Sequence, residues 1–254
     1  MKRTIIIIVI GTLVLVAALW GASRHFGWFS EEIAEPVDTF VYDDTQPIDL
    51  KDKTKVYDLI VLDMSGSMDT IRNSVVDGFN TLLDGLKMAN AKYSGTQEHY
   101  LTLCVFNSMV NGFVYYNAPI DSVQPLSKDM YIPMAGTPLY DAIGMSMAHL
   151  MDITDTVSKN SVLVTIISDG LENASRFYTK SLISSLIRMQ TANGWSFSYF
   201  GSGEEMLRAA EAISIDSVYY FEFSDTGMNN VMKLDESSRM TVYRAIDSIR
   251  RRNM

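Results

Sequence analysis

Cysteine, histidine and grouped positive charge are what this chain has least of, and each shortage removes a class of function. One cysteine, Cys104, cannot close an internal disulfide, and no second thiol is there to share a metal with it. Its place in the apolar stretch Leu101 to Phe106 reads as a small, inert, buried hydrophobe. The histidines are scattered: His25 follows the long apolar run, His99 begins a strand, and His149 lies late in a helix. A serine hydrolase needs a base beside its nucleophile, and none of the three is placed to be one. Lysine and arginine total 21 against 30 acidic residues, with Arg250 to Arg252 the one dense basic group. The clustered cations that grip nucleic-acid phosphates are therefore missing, and three arginines closing a helix read as partners of its C-terminal dipole. Low-complexity tracts and internal repeats are lacking too, so 254 residues with 47% apolar content read as one globular domain plus an appendage.

What is present begins with an uncharged run from Thr4 to Trp20, which reaches Ala22 before a charge appears at Arg24. Such a stretch is long enough to cross the roughly 30 Å hydrocarbon core as a helix. A cleavable signal peptide is the rival, since Lys2 and Arg3 suit both signals. The run exceeds the usual apolar region of about 7 to 15 residues, and a cut after Ala22 would put bulky Trp20 where a small residue is wanted. Residues 1–24 are therefore expected to be a cytoplasmic start and transmembrane anchor, 25–53 an acidic linker and 54–254 the domain. Lys2 and Arg3 against the lone Arg24 place the N-terminus in the cytoplasm and the domain outside, periplasmic or at the cell surface. The asymmetry is small, and a domain facing the cytoplasm stays open as the alternative. Gly27 to Lys53 carries eight acidic side chains against Lys51 and Lys53, minus six of the formal minus nine. With Pro36 and Pro47 it reads as a solvated spacer repelled by anionic lipid, although Thr39 to Tyr42 offers an edge strand.

From Val56 onward, short apolar runs alternate with amphipathic stretches, the pattern of crossover units building a parallel sheet. The reading is an α/β, doubly wound, mostly parallel central sheet with helices on both faces. Val56 to Leu62 is the first strand, and Ile71, Val75, Val76, Phe79, Leu82, Leu83 and Leu86 recur at helical spacing after it. Tyr100 to Phe106 and Gly112 to Tyr116 are close enough to pair as a hairpin, which gives one antiparallel edge strand. Pro138 suits the first turn of the next helix. Its Met145, Met147 and Met151 are core filler at helical spacing. Val162 to Ile167 is a central strand, apolar on both faces. There follow a helix at Lys180 to Thr191, a strand at Ser196 to Phe200, a helix at Glu204 to Ala212, a strand at Val218 to Phe223 and a closing helix from about Glu236 to Arg250. In that last helix Val242, Tyr243, Ile246 and Ile249 form a narrow apolar stripe.

Three clusters carry chemistry: Asp63-Met64-Ser65-Gly66-Ser67, Gly136-Thr137-Pro138-Leu139 and Ser168-Asp169-Gly170. Each follows an apolar strand or opens a helix, where a parallel sheet gathers ligand-binding loops at the carboxyl ends of its strands. Asp63, Ser65, Ser67, Thr137 and Asp169 offer carboxylate and hydroxyl oxygen with no sulfur or imidazole nearby. Such donors suit Mg2+ or Mn2+ rather than zinc or copper.

The order D-x-S-x-S, then T, then D, on those elements, resembles the metal-ion-dependent adhesion site of von Willebrand factor A domains. The resemblance covers roughly residues 54 to 225, and the wording Thr137-Pro138-Leu139-Tyr140-Asp141-Ala142-Ile143 and Asp169-Gly170-Leu171-Glu172-Asn173-Ala174-Ser175 is similar to small bacterial members. It implies that Ser65 and Ser67 bind the ion through their hydroxyls. Thr137 binds directly or through water, and Asp63 and Asp169 hold waters or bind directly. Hydroxyl ligands leave much of the metal's charge uncompensated, so the open position attracts a Glu or Asp carboxylate of a partner protein. The function expected is a membrane-tethered, metal-dependent protein-binding module with no enzymatic activity and no small-molecule substrate.

Competing readings remain on the same residues. Ser67 or Asp69 can cap the first helix, and Asp169-Gly170 can be a plain turn. Glu172, Asn173 and Ser175 are expected to rim the metal face, with a solvated polar loop as the other reading of the same residues. A structural or assembly protein using this fold without metal-mediated binding is the alternative function, with a metal-dependent phosphohydrolase more remote. A phosphatase of the haloacid dehalogenase type wants a second acid two residues after its first, where this chain has Ser65. Gly201-Ser202-Gly203 is too short to cradle phosphate.

Overall fold

In the computed structural model of the chain, residues 53–154, 160–169, 171–202, 204–220 and 224–252 are described. The expected anchor, all of the linker but Lys53, and the possible strand at Thr39 to Tyr42 lie outside them. No helix of the described residues is long and apolar enough to cross a membrane.

Strand β1 (Thr54–Asp63) runs into a short 3-10 turn (Gly66–Ile71) and helix α1 (Arg72–Lys92). Next come β2 (Gln97–Phe106), β3 (Asn111–Pro119), α2 (Leu139–Met151) and β4 (Asn160–Ile167). The chain continues through α3 (Lys180–Ala192), β5 (Ser196–Gly201), α4 (Glu204–Ala212), β6 (Ser217–Tyr220) and α5 (Asp225–Arg252). The sheet order is β3-β2-β1-β4-β5-β6, parallel throughout except for β3, which is the expected antiparallel edge. After β1 the chain adds β2 and β3 on one side and then crosses to β4 on the other. The crevice between β1 and β4 is thus a topological switch point, where such sheets bind ligands. Registers align there: Asp63 lies opposite Phe106, Leu62 opposite Ile167, and Ile167 opposite Phe200.

One face of the sheet packs under α1 and α5, around Ile60, Leu62, Phe79, Leu82 and Leu103. The other packs under α2, α3 and α4, around Leu59, Val61, Ile143, Ile166 and Ile187. Strands covered on both faces have no solvent side, which is why β1 and β4 show no regular polar alternation, the buried Asp58 and Thr165 aside. The apolar face read for α1 is buried at all seven positions, Ile71 included just before the helix. Cys104 is fully buried, and burial pushes its thiol up to about 11, an inert state. Met147 is fully buried as read.

The last helix departs from expectation. It starts at Asp225 rather than near Glu236, although Gly227, Asn229 and Asn230 are poor helix formers. Ser224 caps it, its Oγ accepting from Gly227 N at 3.1 Å. Met228, Val231, Met232 and Asp235 then recur at helical spacing on the buried side. Close approach to α1 is possible because α1 presents glycines: a Cβ on Gly78 would meet Met232, and one on Gly85 would meet Glu236. Tertiary packing here outweighs local propensity. Farther along, Ile249 is exposed and drops out of the apolar stripe. Arg250 is buried, its Nε donating to Thr54 Oγ1 at 3.0 Å, so it ties the helix to β1 rather than serving only a frayed end.

What anchors α5 is polar. Arg239, 1% exposed, donates Nε to Asp235 Oδ2 at 2.8 Å, Nη1 to Asp58 Oδ1 at 2.5 Å and Nη2 to Thr165 Oγ1 at 2.6 Å. Tyr243 donates its hydroxyl to the same Asp58 oxygen at 2.6 Å. His99 fills the remaining side: Nδ1 is 3.5 Å from Asp58 Oδ2, and its ring meets Tyr243 edge-on. Burial alone would raise the Asp58 pKa, but Arg239, His99 and Tyr243 outweigh it and hold the carboxyl below its ordinary value. Burial likewise opposes the charge on Arg239, and Asp235 and Asp58 more than restore it.

Candidate metal centre

The end of β1 delivers Asp63 into the interior, fully buried at the switch point. Its carboxylate is fixed from two sides, Oδ1 accepting from Ser65 N at 2.7 Å and Oδ2 from Ser168 Oγ at 2.5 Å. The backbone then turns sharply into the 3-10 segment, which brings two hydroxyls together: Ser65 Oγ and Ser67 Oγ are 3.1 Å apart. Ser67 Oγ in turn donates to Asp169 Oδ1 at 2.9 Å, across 102 residues of sequence. Neither serine caps a helix: at Ser65, which precedes the 3-10 segment, and at Ile71, which precedes α1, no side chain accepts a capping bond. The plain capping reading of Ser67 and the plain turn reading of Asp169 therefore miss what these side chains do. Asp63, Ser65, Ser67 and Asp169 form one connected constellation.

Thr137 reaches the same end of the sheet by another route. Residues 134–136 lie alongside residues 64–66, with Met134 N donating to Met64 O at 3.0 Å and Gly66 N to Ala135 O at 3.1 Å. Ala135 holds φ at 62° to make this turn, a left-handed conformation that costs a non-glycine residue roughly 1 to 2 kcal/mol. Thr137 itself is 3% exposed and is held in both directions by Asn173. Its N–H donates to Asn173 Oδ1 at 2.9 Å, and Asn173 N donates back to its carbonyl at 3.1 Å.

Glu172, Asn173 and Ser175 do not simply rim the face, as the sequence had led us to expect. Glu172 accepts from Tyr140 N, Ala174 N and Ser175 N, while Ser175 Oγ accepts from Asp141 N at 3.0 Å. Two donors at the start of α2, which have no intrahelical partners, are met in this way. Asp141 answers by accepting from Arg176 N, Phe177 N and Tyr178 N, all within 2.9 Å. The loop after Asp169 and the helix after Thr137 are thereby locked together. Should the centre hold Mn2+, Asn173→Ala is expected to weaken its binding by about 10- to 100-fold with little change in melting temperature, the usual effect of losing a group that orients a ligand. Isothermal titration beside a melting curve checks this.

Three contributors escaped the sequence reading. Ser168 stands beside Asp169 in its motif, and its strand-end position was the available signal. Tyr131, fully buried, donates its hydroxyl to the Asp63 carbonyl at 2.5 Å. Asn107 donates Nδ2 to Met64 O at 3.2 Å. Nothing local in the sequence marks these last two, because their partners are more than forty residues away.

The site's electrostatics favour a cation. Burial pushes the Asp63 carboxyl up to about 6, with the Asp169 charge adding to the rise and hydrogen bonds from Ser168 and Ser65 opposing it. Asp169 is raised too, chiefly by burial. Burial and the charges of Asp63 and Asp169 all push the Tyr131 and Tyr199 hydroxyls up as well. Two partly desolvated carboxylates beside two hydroxyls are an all-oxygen donor set of the kind Mg2+ and Mn2+ take. Among the described residues no three acidic, imidazole or thiol side chains converge. An ion held here thus rests on hydroxyls as well as on Asp63 and Asp169.

No family profile matches the sequence, and no curated protein matches it. Solved structures match it in shape. The pilus adhesin SpaC from Lactobacillus rhamnosus GG aligns over 78% of this chain and 31% of its own, with a TM-score of 0.57 and 13% identity. Its open conformation gives a TM-score of 0.56. A point mutant of the PilB minor pilin from Streptococcus sanguinis aligns over 79% of this chain and 65% of its own, with a TM-score of 0.53 and 9% identity. The chain spans less than two thirds of each of these proteins, and identities this low speak to fold alone. The fold agrees with that of a von Willebrand factor A domain. The six-stranded, mostly parallel sheet with one antiparallel edge is consistent with it.

Proposed function

We propose that this chain is a metal-dependent protein-binding module, tethered to a membrane by its N-terminal apolar run. The carrying observation is the hydrogen-bonded path from Asp63 through Ser65 and Ser67 to Asp169. Ser65, Ser67 and Thr137 would supply hydroxyl oxygens to Mg2+ or Mn2+, and Asp63 and Asp169 would supply carboxylates or hold the waters. When bound, the ion adds a concentrated positive charge that accepts a carboxylate oxygen from a partner's Glu or Asp. The protein's own part is to fix the donors in advance: Ser168 and the Ser65 N–H orient Asp63, and Asn173 orients Thr137. An adhesin among the proteins of similar fold supports a binding role, and the Lys and Arg bias around the apolar run supports a position outside the cytoplasm.

Millimolar Mn2+ is expected to raise the melting temperature of the full chain in detergent, because an ion that binds only the folded state stabilises it by mass action. A hundredfold excess over Kd gives about 2.7 kcal/mol, or about 5 to 10 °C for a domain of this size. Ser65→Ala/Ser67→Ala should abolish the shift while leaving the metal-free melting temperature near native. An unchanged shift in that variant would remove the site assignment. Protease added to spheroplasts should digest the domain and leave the apolar run in the membrane, and protection until lysis would place the domain in the cytoplasm.

A further inference from the structure

Seven of the eleven exposed large apolar side chains among the described residues sit on the loops that build the candidate metal centre. Met109 and Val110 form the tip of the β2–β3 turn, and both their N–H groups donate to Asn107, whose amide holds Met64. The turn's Ser108 is bonded to Gly136 through its own N–H and its Oγ. Met130, Ile132 and Met134 precede Thr137, with Ile132 N on Met64 Sδ and Met134 N on Met64 O. Leu171 and Phe177 belong to the loop that Asn173 and Asp141 fasten to Thr137 and α2, and Phe177 is 81% exposed. Every stretch bearing these side chains is thus hydrogen-bonded to Met64, Gly136, Thr137 or the first turn of α2.

Single exposed apolar residues are ordinary, but a group of this size on one set of loops marks an interaction surface. Its composition is informative. Methionine supplies three of the seven, a flexible, polarizable side chain that adapts to different shapes. These stretches are tied to the segments that carry Ser65, Ser67, Thr137 and Asp169. An apolar surround of that kind keeps water from a central ionic contact, as the rim of near-neutral residues does around a binding hot spot.

We propose that this surface binds an acidic residue of a partner protein that is flanked in its own sequence by large apolar side chains. The acid meets the metal centre and the flanks meet Phe177, Met134 and Met109. This rests on the metal-binding reading above and adds the partner's side-chain pattern to it. A second copy of the chain fits less well, because a two-fold contact would set the same pair of carboxylates, Asp63 and Asp169, against their counterparts.

The test is selection of full-length chain in Mn2+ against a phage-displayed peptide library with a fixed central Glu and randomised residues on both sides. Enriched peptides should carry Leu, Phe, Met or Trp beside the Glu. Their binding should be lost in EDTA and weakened about tenfold or more by Phe177→Ser/Met134→Ser, a variant that keeps the native Mn2+ melting shift. Enrichment that needs Mn2+ and Glu but shows polar flanks overturns this inference and leaves the metal-binding reading standing. No enrichment despite a normal Mn2+ melting shift also overturns it. So does an Mn2+-dependent dimer, seen by sedimentation and lost in the same variant, which would give the surface to a second copy. Apolar enrichment that persists unchanged in EDTA would keep the surface but defeat the metal-centred reading on which the proposal rests.

Discussion

Arg239→Met is expected to destabilise the fold by about 3 to 5 kcal/mol, because removing one member of a buried ionic group leaves the others charged and unpaired. Asp58 and Asp235 are both buried, and Asp58 would keep only Tyr243 and His99. For a domain of this size the loss lowers melting by roughly 10 °C. Urea unfolding measures it directly, and a change in midpoint without a change in slope would show that only stability moved. Replacing Asp58, Asp235 and Arg239 together with apolar residues of matching volume should recover most of the loss, since a well-packed apolar substitute is often neutral or better. The same group sets a pH dependence. The folded-state pKa of Asp58 lies below its unfolded value, so its stabilisation is present above the unfolded carboxylate value and is lost as pH falls through the folded one. The native chain should therefore lose stability on an acid limb that the apolar triple variant lacks.

Asp63→Asn should have the opposite sign in the absence of metal. The folded carboxyl, raised to about 6 by burial and by Asp169, contributes stability that is present below the unfolded value and is lost as pH rises through 6. At pH 7.5 that loss is roughly 3 kcal/mol, the free-energy equivalent of the rise. Asparagine keeps an oxygen for the Ser65 N–H and an amide beside Ser168 without the charge. The variant is expected to melt above the native chain in EDTA, and Mn2+ is expected to close most of that gap by raising the native melting temperature alone. Melting curves in both buffers check this, and a variant less stable than native in EDTA would show that Asp63 is needed for packing rather than for an ion. A stability cost accepted at a binding site is the usual sign of such trade-offs.

The two effects separate what local pattern could and could not reveal. Asp63, Ser65 and Ser67 were legible because they sit within one turn after an apolar strand, so spacing alone put them on the same loop. Thr137 and Asp169 were legible because each opens the segment after a strand or before a helix, and parallel strands of similar length end at one level. The positions read for β1, α1, β4 and α4 followed from apolar periodicity for the same reason. Helix α5 was read about eleven residues short, since Gly227, Asn229 and Asn230 weaken the local signal that packing against Gly78 and Gly85 of α1 overrides.

By itself, then, the order of residues determined the alternation of strands and helices and the end of the sheet that carries the oxygens. Only the tertiary structure decided which polar groups serve the centre and which serve the fold. Glu172 and Asp141 were spent on the backbone of neighbouring segments, Asn173 on Thr137, and Asp58 on a buried arginine 181 residues away. A carboxylate's role is set by what stands within about 3 Å of it. For partners so distant in sequence, that is known only after the sheet has brought their strands and helices together.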